Sequence, residues 1–224
     1  MAQSISNLPI GSKVKFGKYS VNGEAAQSVV WLVVAKNHTS TPAYPSNSCT
    51  LLTEKIIDLR AFDSQEPNAS LTVHRDNGNN RYRLSNIDQW LNKSNAGGEW
   101  YTSQHGTDQA PSAGYVSNST EYANRPAFLN AFTSEEINSI LSTNIRVGLP
   151  PDVGGVYEDI SRKVFLPSFT ELGMSTSSTL VEGSRWEDFS NNRSRRKITE
   201  SGKRFYLSWK DNDTDKMIEE IMNS

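Results

Sequence analysis

The stretch Asn79–Tyr101, NNRYRLSNIDQWLNKSNAGGEWY, decides how the rest of the chain is read, because it joins a helix start, an aromatic cluster and a turn in one short span. Ser85 is placed to accept from the backbone N–H groups of a first helical turn. Asp88, three residues on, predicts the reciprocal arm of a capping box. Ile87, Trp90 and Leu91 then share one face at the three- and four-residue spacing by which a helix buries a stripe against a sheet. Ala96-Gly97-Gly98 releases the chain, and Trp100 and Tyr101 are expected to return to the interior.

Upstream, the pattern is that of antiparallel strands. Val14, Phe16 and Lys18 alternate with Lys15 and Gly17, and Asn22-Gly23 supplies a hairpin turn before a strand from Val29 to Ala35. That strand is a continuous β-branched apolar run, which predicts a central strand covered on both faces. Cys49 to Thr53 reads as a third strand, with Cys49, the only cysteine, as a buried strand residue. Ile56, Ile57, Leu59 and Phe62 fall in an irregular segment or helical turn, and Asp63 to Gly78 has the composition of a surface loop.

Downstream, Thr102 to Arg125 is a long polar connection, with Tyr115, Val116 and Tyr122 as its main apolar exceptions. Loops longer than about 15 residues are usually functional or mobile, so this one is expected to be an exposed lobe whose tyrosines meet a partner or fold back. Phe132-Thr133-Ser134-Glu135-Glu136-Ile137 combines a capping box with a hydrophobic staple. It predicts a helix from Ser134 to about Ser142 with Ile137, Ile140 and Leu141 on its inner face and Phe128 and Leu129 beside it. Ile145 and Val147 suggest a short strand, Lys163 to Leu166 another, and Ser168, Glu171 and Gly173 the cap, third-position acid and stop of a single-turn helix.

With 224 residues, a net charge of −2 and a pI near 6.0, the chain can bury a substantial core and lacks the basic excess of a nucleic-acid binder. Its apolar runs fall short of the roughly 20 residues of a membrane span, and its first residues lack a secretory pattern. A single α+β domain over residues 1–210 with an acidic amphipathic tail over 211–224 is expected, made in a cytoplasm. One cysteine rules out an intrachain disulfide and a cysteine-rich metal site.

Chemical motifs are few. His105 lies near Asp108, and His74 is flanked by Arg75 and Asp76, so either imidazole could be oriented as a base, yet neither has a recognisable nucleophile beside it. His38, His74 and His105 have no metal-ligand spacing. Glu135 and Glu136 suit the positive end of a helix. Six Asn-x-Ser/Thr sequons, beginning at Asn37, Asn68, Asn92, Asn118, Asn192 and Asn212, follow from an Asn- and Ser-rich composition. From Arg185 to Lys210, basic residues alternate with Trp186, Phe189, Phe205, Tyr206 and Trp209, but Asp211, Asp213, Asp215, Glu219 and Glu220 neutralise them. Met217, Ile218, Ile221 and Met222 give a short terminal helix an apolar face that needs a partner.

Several ordered segments carry a family resemblance: LPIGSKVKFGKY (8–19), VVWLVVAKNH (29–38), LLTEKIIDLRAFD (51–63), NNRYRLSNIDQWLN (79–92) followed by WY (100–101), FLNAFTSEEINSIL (128–141) and KVFLPSFTELG (163–173). Together they resemble the DUF6273 family of bacterial and phage proteins. The resemblance implies a fold similar to C-type lectins and the formylglycine-generating enzyme: a twisted antiparallel sheet with flanking short helices and long loops. Where that family usually continues into a Trp-Trp-Leu-Arg-like strand, this chain has Phe205 to Trp209 and then an acidic tail. Formylglycine generation needs a cysteine pair, which this chain lacks.

The expected function is therefore that of a non-enzymatic phage virion protein, tail-associated or capsid accessory, without catalytic residues, cofactor or metal. Its expected partners are other virion proteins in an oligomeric assembly and a host cell-surface glycan or protein, with neither nucleic acid nor membrane. The candidate binding residues are Tyr115, Tyr122, His105, Trp186 and Trp209, and the candidate assembly residues are Met217, Ile218, Ile221 and Met222. A glycan- or peptide-binding module of a bacterial protein outside a virion is the alternative.

Overall fold

The apolar run around Trp31 forms the longest strand described, β2 (Gln27–Lys36), in a three-stranded sheet of order β1-β2-β3 with β1 (Lys13–Tyr19) and β3 (Cys49–Thr53). The computed structural model describes residues 5–20, 24–174 and 180–189, and the backbone of 196–198 and 204–206. The Asn22-Gly23 turn, Trp209 and the tail residues Met217, Ile218, Ile221 and Met222 lie outside the described residues.

β2 and β3 run antiparallel, with Trp31 opposite Thr53 and Lys36 opposite Cys49, and the register shifts between Val33 and Ala35. Val34 is the extra residue, so the side chains of Val33, Val34 and Ala35 are buried in succession where a regular strand would alternate. The strand is thus wholly covered at this end only, and the Val34 carbonyl accepts from the Asp188 N–H at 3.1 Å. Cys49 opens β3 as expected but is half-buried, with its Sγ 3.5 Å from the Ile5 carbonyl oxygen. Burial still raises its thiol pKa.

The alternation expected in β1 breaks at Gly17. Val14 and Phe16 are half-buried, after which Gly17 and Tyr19 are buried and Lys18 is exposed. Gly17 has φ +67°, and an added Cβ would lie 2.1 Å from Cε1 of Phe132. The ring of Phe132 occupies the space of a side chain, and Phe16 meets it edge-on at 5.8 Å. Gly17→Ala should therefore destabilise the chain by more than the ~1–2 kcal/mol of left-handed backbone alone, read as a lower urea midpoint with unchanged slope; an unchanged midpoint would mean that Phe132 is free to move aside.

Contacts divide the chain into two compact units: Met1–Lys15, Val30–Asp58 and Pro167–Ser224 form one, Phe16–Val29 and Leu59–Leu166 the other. In the first, Ser168 and Glu171 cap each other as the sequence predicts: Glu171 N–H donates to Ser168 Oγ at 3.1 Å and Ser168 N–H to Glu171 Oε2 at 2.8 Å. The Glu171 carboxylate also accepts from the Tyr44 hydroxyl and is buried. Trp186, expected at a binding surface, is 2% exposed and packs against Phe189 at 6.0 Å. Its apolar mass fills a core, which corrects its assignment as a binding residue. The backbones of β6 (Arg196–Ile198) and β7 (Arg204–Tyr206) form an antiparallel pair.

The second unit is built around α2 (Asn86–Leu91), with Ile87, Trp90 and Leu91 buried as their spacing predicts. Trp90 meets Tyr19 of β1 edge-on at 5.9 Å and Phe128 at 5.6 Å, and its indole N–H donates to the Pro126 carbonyl at 3.0 Å. Ser85 accepts from the Asp88 N–H, but Asp88 does not reach back as expected. The fork of Arg162 takes its carboxylate instead, at 2.6–2.8 Å. A bidentate guanidinium outcompetes one neutral backbone donor.

α3 (Ser134–Ser139) begins on the reciprocal Thr133–Glu136 capping box and stops earlier than expected. Ile140 is already extended, with ψ 116°, so Leu141 leaves the inner face and is 48% exposed. β4 (Thr143–Gly148) pairs antiparallel with β5 (Tyr157–Arg162), Ile145 facing Ile160. The strand expected at Lys163–Leu166 lies earlier, at β5, because Asn92 captures the next backbone groups. Its Oδ1 accepts from the N–H groups of Lys163 and Val164, and its Nδ2 donates to the Val164 carbonyl. α1 (Thr72–Asn77) occupies part of the span read as loop.

Candidate functional site

Residues 59–66, which run from the segment expected to be irregular or a helical turn into the expected surface loop from Asp63, are held step by step against the long connection 102–125. The Arg60 guanidinium donates to the Tyr122 carbonyl at 3.1 Å, Ser64 Oγ to that of Gln109 at 2.6 Å and the Gln65 N–H to that of Tyr115 at 2.7 Å. Glu66, 1% exposed, accepts from Thr107 Oγ1 at 2.6 Å and pairs with His105 Nε2 at 2.7 Å. The expected exposed lobe is therefore folded back. Val116, Tyr122 and Asp108 are buried, while Tyr115 is half-buried.

Asp63 anchors the first loop from below. Its Oδ2 accepts from the Asn79 N–H at 2.7 Å and its Oδ1 from the Asn86 N–H at 2.9 Å, while the Asn86 amide oxygen accepts from the Ser64 N–H at 3.0 Å. Gly78 permits this closeness, since a Cβ there would meet the Ser64 carbonyl oxygen at 2.4 Å. Burial pushes the Asp63 carboxyl up to about 7 against the lowering effect of its two amide donors, with Asp108 and Glu66 adding like charge. Burial also raises Asp108, and it pushes the phenol of Tyr101 up to about 12.

Between the two loops opens a cleft of about 340 Å³ with Phe62, Tyr115 and Tyr122 on its walls and Asp63 and Arg60 in its lining. That is the lower end of the range for small-ligand sites, about 300–1,000 Å³. Arg60 lies 4.2 Å over the Trp90 ring and 4.9 Å over that of Tyr122. Leu59 is 55% and Phe62 40% exposed at the opening. Of the residues singled out in the sequence, Tyr115 and Tyr122 meet here. His105 serves the Glu66 clamp, Trp186 belongs to the core of the other unit, and Trp209 is outside the described residues.

His105 does not pair with the nearby Asp108 as an oriented base. Its Nε2 is held by Glu66, and its Nδ1 is buried, so the imidazole offers no ring nitrogen to a substrate. Nor do His74 and Asp76 assemble: His74 Nε2 faces Asp152 at 3.4 Å. Among the described residues, no group of three or more His, Cys, Asp or Glu is arranged to hold a metal ion, and no helix is long and apolar enough to cross a membrane. Sequence reading missed Asp63, Ser64 and Glu66, whose partners are up to 45 residues away, and no local pattern marks them.

Buried carboxyls make stability depend on pH. Asp63 and Glu171 are both pushed up to about 7 by burial, whereas unfolded carboxyls titrate near 4. Between these values the folded chain binds more protons than the unfolded one, so stability falls as pH rises through about 4 to 7. His38, lowered by burial, opposes this around its usual titration range, and the lowered carboxyls Glu158 and Asp159 act only at more acidic pH. The Tm should be higher at pH 5 than at pH 8 by roughly 4–8 °C, the equivalent of about 2 kcal/mol at this length. Glu171→Gln, which keeps the shape and the Tyr44 contact, should shrink the difference in calorimetric scans. A Tm that rises from pH 5 to pH 8 would refute the assignment.

Antiparallel sheets, short helices and a cleft walled by two stitched loops define an α+β protein with a loop-borne candidate ligand site. The chain belongs to the DUF6273 family, described as a domain of unknown function, whose family model matches residues 47–212. No curated protein and no solved structure matches the chain.

Proposed function

We propose that this chain is a non-enzymatic binding protein of a phage virion, tail-associated or capsid accessory, which presents the cleft between residues 59–65 and 115–122 to a host surface. The observation that carries the binding reading is the cleft itself: exposed Leu59 and Phe62 at its opening, Tyr115 and Tyr122 on its walls, and two loops tied by hydrogen bonds that Ser64 and Gln65 donate and the Glu66 carboxylate accepts. Aromatic side chains held on a pre-ordered loop bind with little loss of conformational freedom. The enclosed nitrogens of His105 weigh against a hydrolase.

The virion setting, the bacterial or phage source and a C-type-lectin-like arrangement follow from the family resemblance. They suit a chain whose loops are long and whose sheets are small. In this reading the chain is made in the host cytoplasm and assembled with other virion proteins. Mass spectrometry of purified particles, together with the open reading frames beside the gene, is the test. Its presence in particles among tail or capsid genes is expected. Absence from particles, with no such genes nearby, would leave a glycan- or peptide-binding module outside a virion.

A further inference from the structure

Resting on the binding reading of the same cleft, we propose that its ligand is a neutral sugar ring, stacked on Phe62 and held through its hydroxyl groups by Tyr115, Asn77 and Ser117. The argument starts from which lining groups are already engaged. Arg60 is bonded to the Tyr122 carbonyl and covers the Trp90 ring, so its charge is turned to the protein. Both oxygens of Asp63 accept from backbone N–H groups. The cleft thus carries one guanidinium and one carboxyl, both engaged by the protein, which disfavours charged ligands of either sign.

The Tyr122 hydroxyl and the Asn118 amide bond each other at 2.9 Å, and the Gln65 amide donates to the Asp76 carbonyl at 2.8 Å. By contrast, the phenol of Tyr115, the amide of Asn77 and the hydroxyl of Ser117 line the cleft without a hydrogen-bond partner among the described residues. They supply donors and acceptors in both senses. Phe62 is braced by Tyr82 at 6.3 Å between ring centres and remains 40% exposed, which gives a fixed apolar platform. A neutral ligand with an apolar face and a rim of hydroxyl groups satisfies platform and rim together. A sugar ring has this chemistry, and a cleft of about 340 Å³ has room for a ring or two.

The test is ligand-observed saturation-transfer NMR on the full chain with methyl glycosides of glucose, galactose, N-acetylglucosamine and rhamnose, and with glucose 6-phosphate as an anionic control. At least one neutral glycoside should bind, with affinity insensitive to salt. Phe62→Ala should weaken it about tenfold or more through lost apolar contact. Tyr115→Phe, which removes a single unpartnered hydroxyl, should weaken it about 3- to 10-fold. Phe62 is 40% exposed and Tyr115→Phe removes only a hydroxyl without a partner among the described residues, and an unchanged Tm confirms that folding is kept. Binding by none of the neutral glycosides, preference for the phosphate with salt-sensitive affinity, or affinities unmoved by both substitutions would each overturn the proposal. Cosedimentation of the chain with host cells separates the two levels: attachment that survives Phe62→Ala overturns the cleft as its site and leaves the attachment reading standing, whereas no attachment by the unaltered chain removes that reading.

Discussion

Trp90→Ala is expected to destabilise the chain by about 3 to 5 kcal/mol, the range for truncating a large aromatic side chain in a core. The side chain is buried, and its two ring neighbours Tyr19 and Phe128 also touch each other at 5.6 Å, so the void would be walled by aromatics that cannot all collapse into it. Two further losses add to the cavity. The Pro126 carbonyl loses the indole donor at 3.0 Å, and Arg60 loses the ring 4.2 Å beneath its guanidinium. Because Arg60 also bonds Tyr122 in the cleft wall, the substitution should weaken the candidate site together with the fold. Urea denaturation decides: a loss below about 1 kcal/mol would mean that the site repacks, against the usual cost of such cavities.

Trp90 also shows what could be read from the sequence and why. Its burial follows from local spacing, as does the capping of α2 by Ser85 and of α3 by Thr133 and Glu136, all of which join residues three or four apart. Expectation failed where a distant residue competed for the same group. Asp88 was drawn to Arg162, 74 residues on, and the backbone of Lys163 and Val164 to Asn92, about as far back. Trp31 is buried, as the continuous apolar run around it predicts. Gly17 shifted the β1 alternation through a ring supplied by Phe132.

The candidate site divides in the same way. Tyr115 and Tyr122 stood out as apolar residues in a polar stretch, and both reach the cleft. Asp63, Ser64 and Glu66 were hidden because carboxylates and hydroxyls in a polar segment have the composition of solvated loop. Burial of such groups depends on partners that composition does not display. Here those partners are the amides of Asn79 and Asn86 and the side chains of His105 and Thr107.

Glu66→Ala should therefore release the long loop and cost about 3 to 5 kcal/mol, as expected when one member of a buried polar cluster is removed and the others remain. Glu66 is almost wholly enclosed, and its two oxygens hold two residues of the 102–125 connection, His105 at 2.7 Å and Thr107 at 2.6 Å. Truncation would leave a half-buried imidazole and a half-buried hydroxyl without their carboxylate partner, at up to about 1–3 kcal/mol for each group that water does not reach. Glu66→Gln should be milder, because its amide oxygen can still accept from His105 while its NH2 donates to the Thr107 oxygen. Limited proteolysis reads the local effect. The unaltered chain should resist cleavage between residues 102 and 125, Glu66→Ala should be cut there under conditions where the rest of the chain survives, and Glu66→Gln should fall between. Equal cleavage of the unaltered chain and Glu66→Ala would show that the carboxylate does not hold the loop, and the pre-ordered wall on which the binding cleft depends would have to come from Arg60, Ser64 and Gln65.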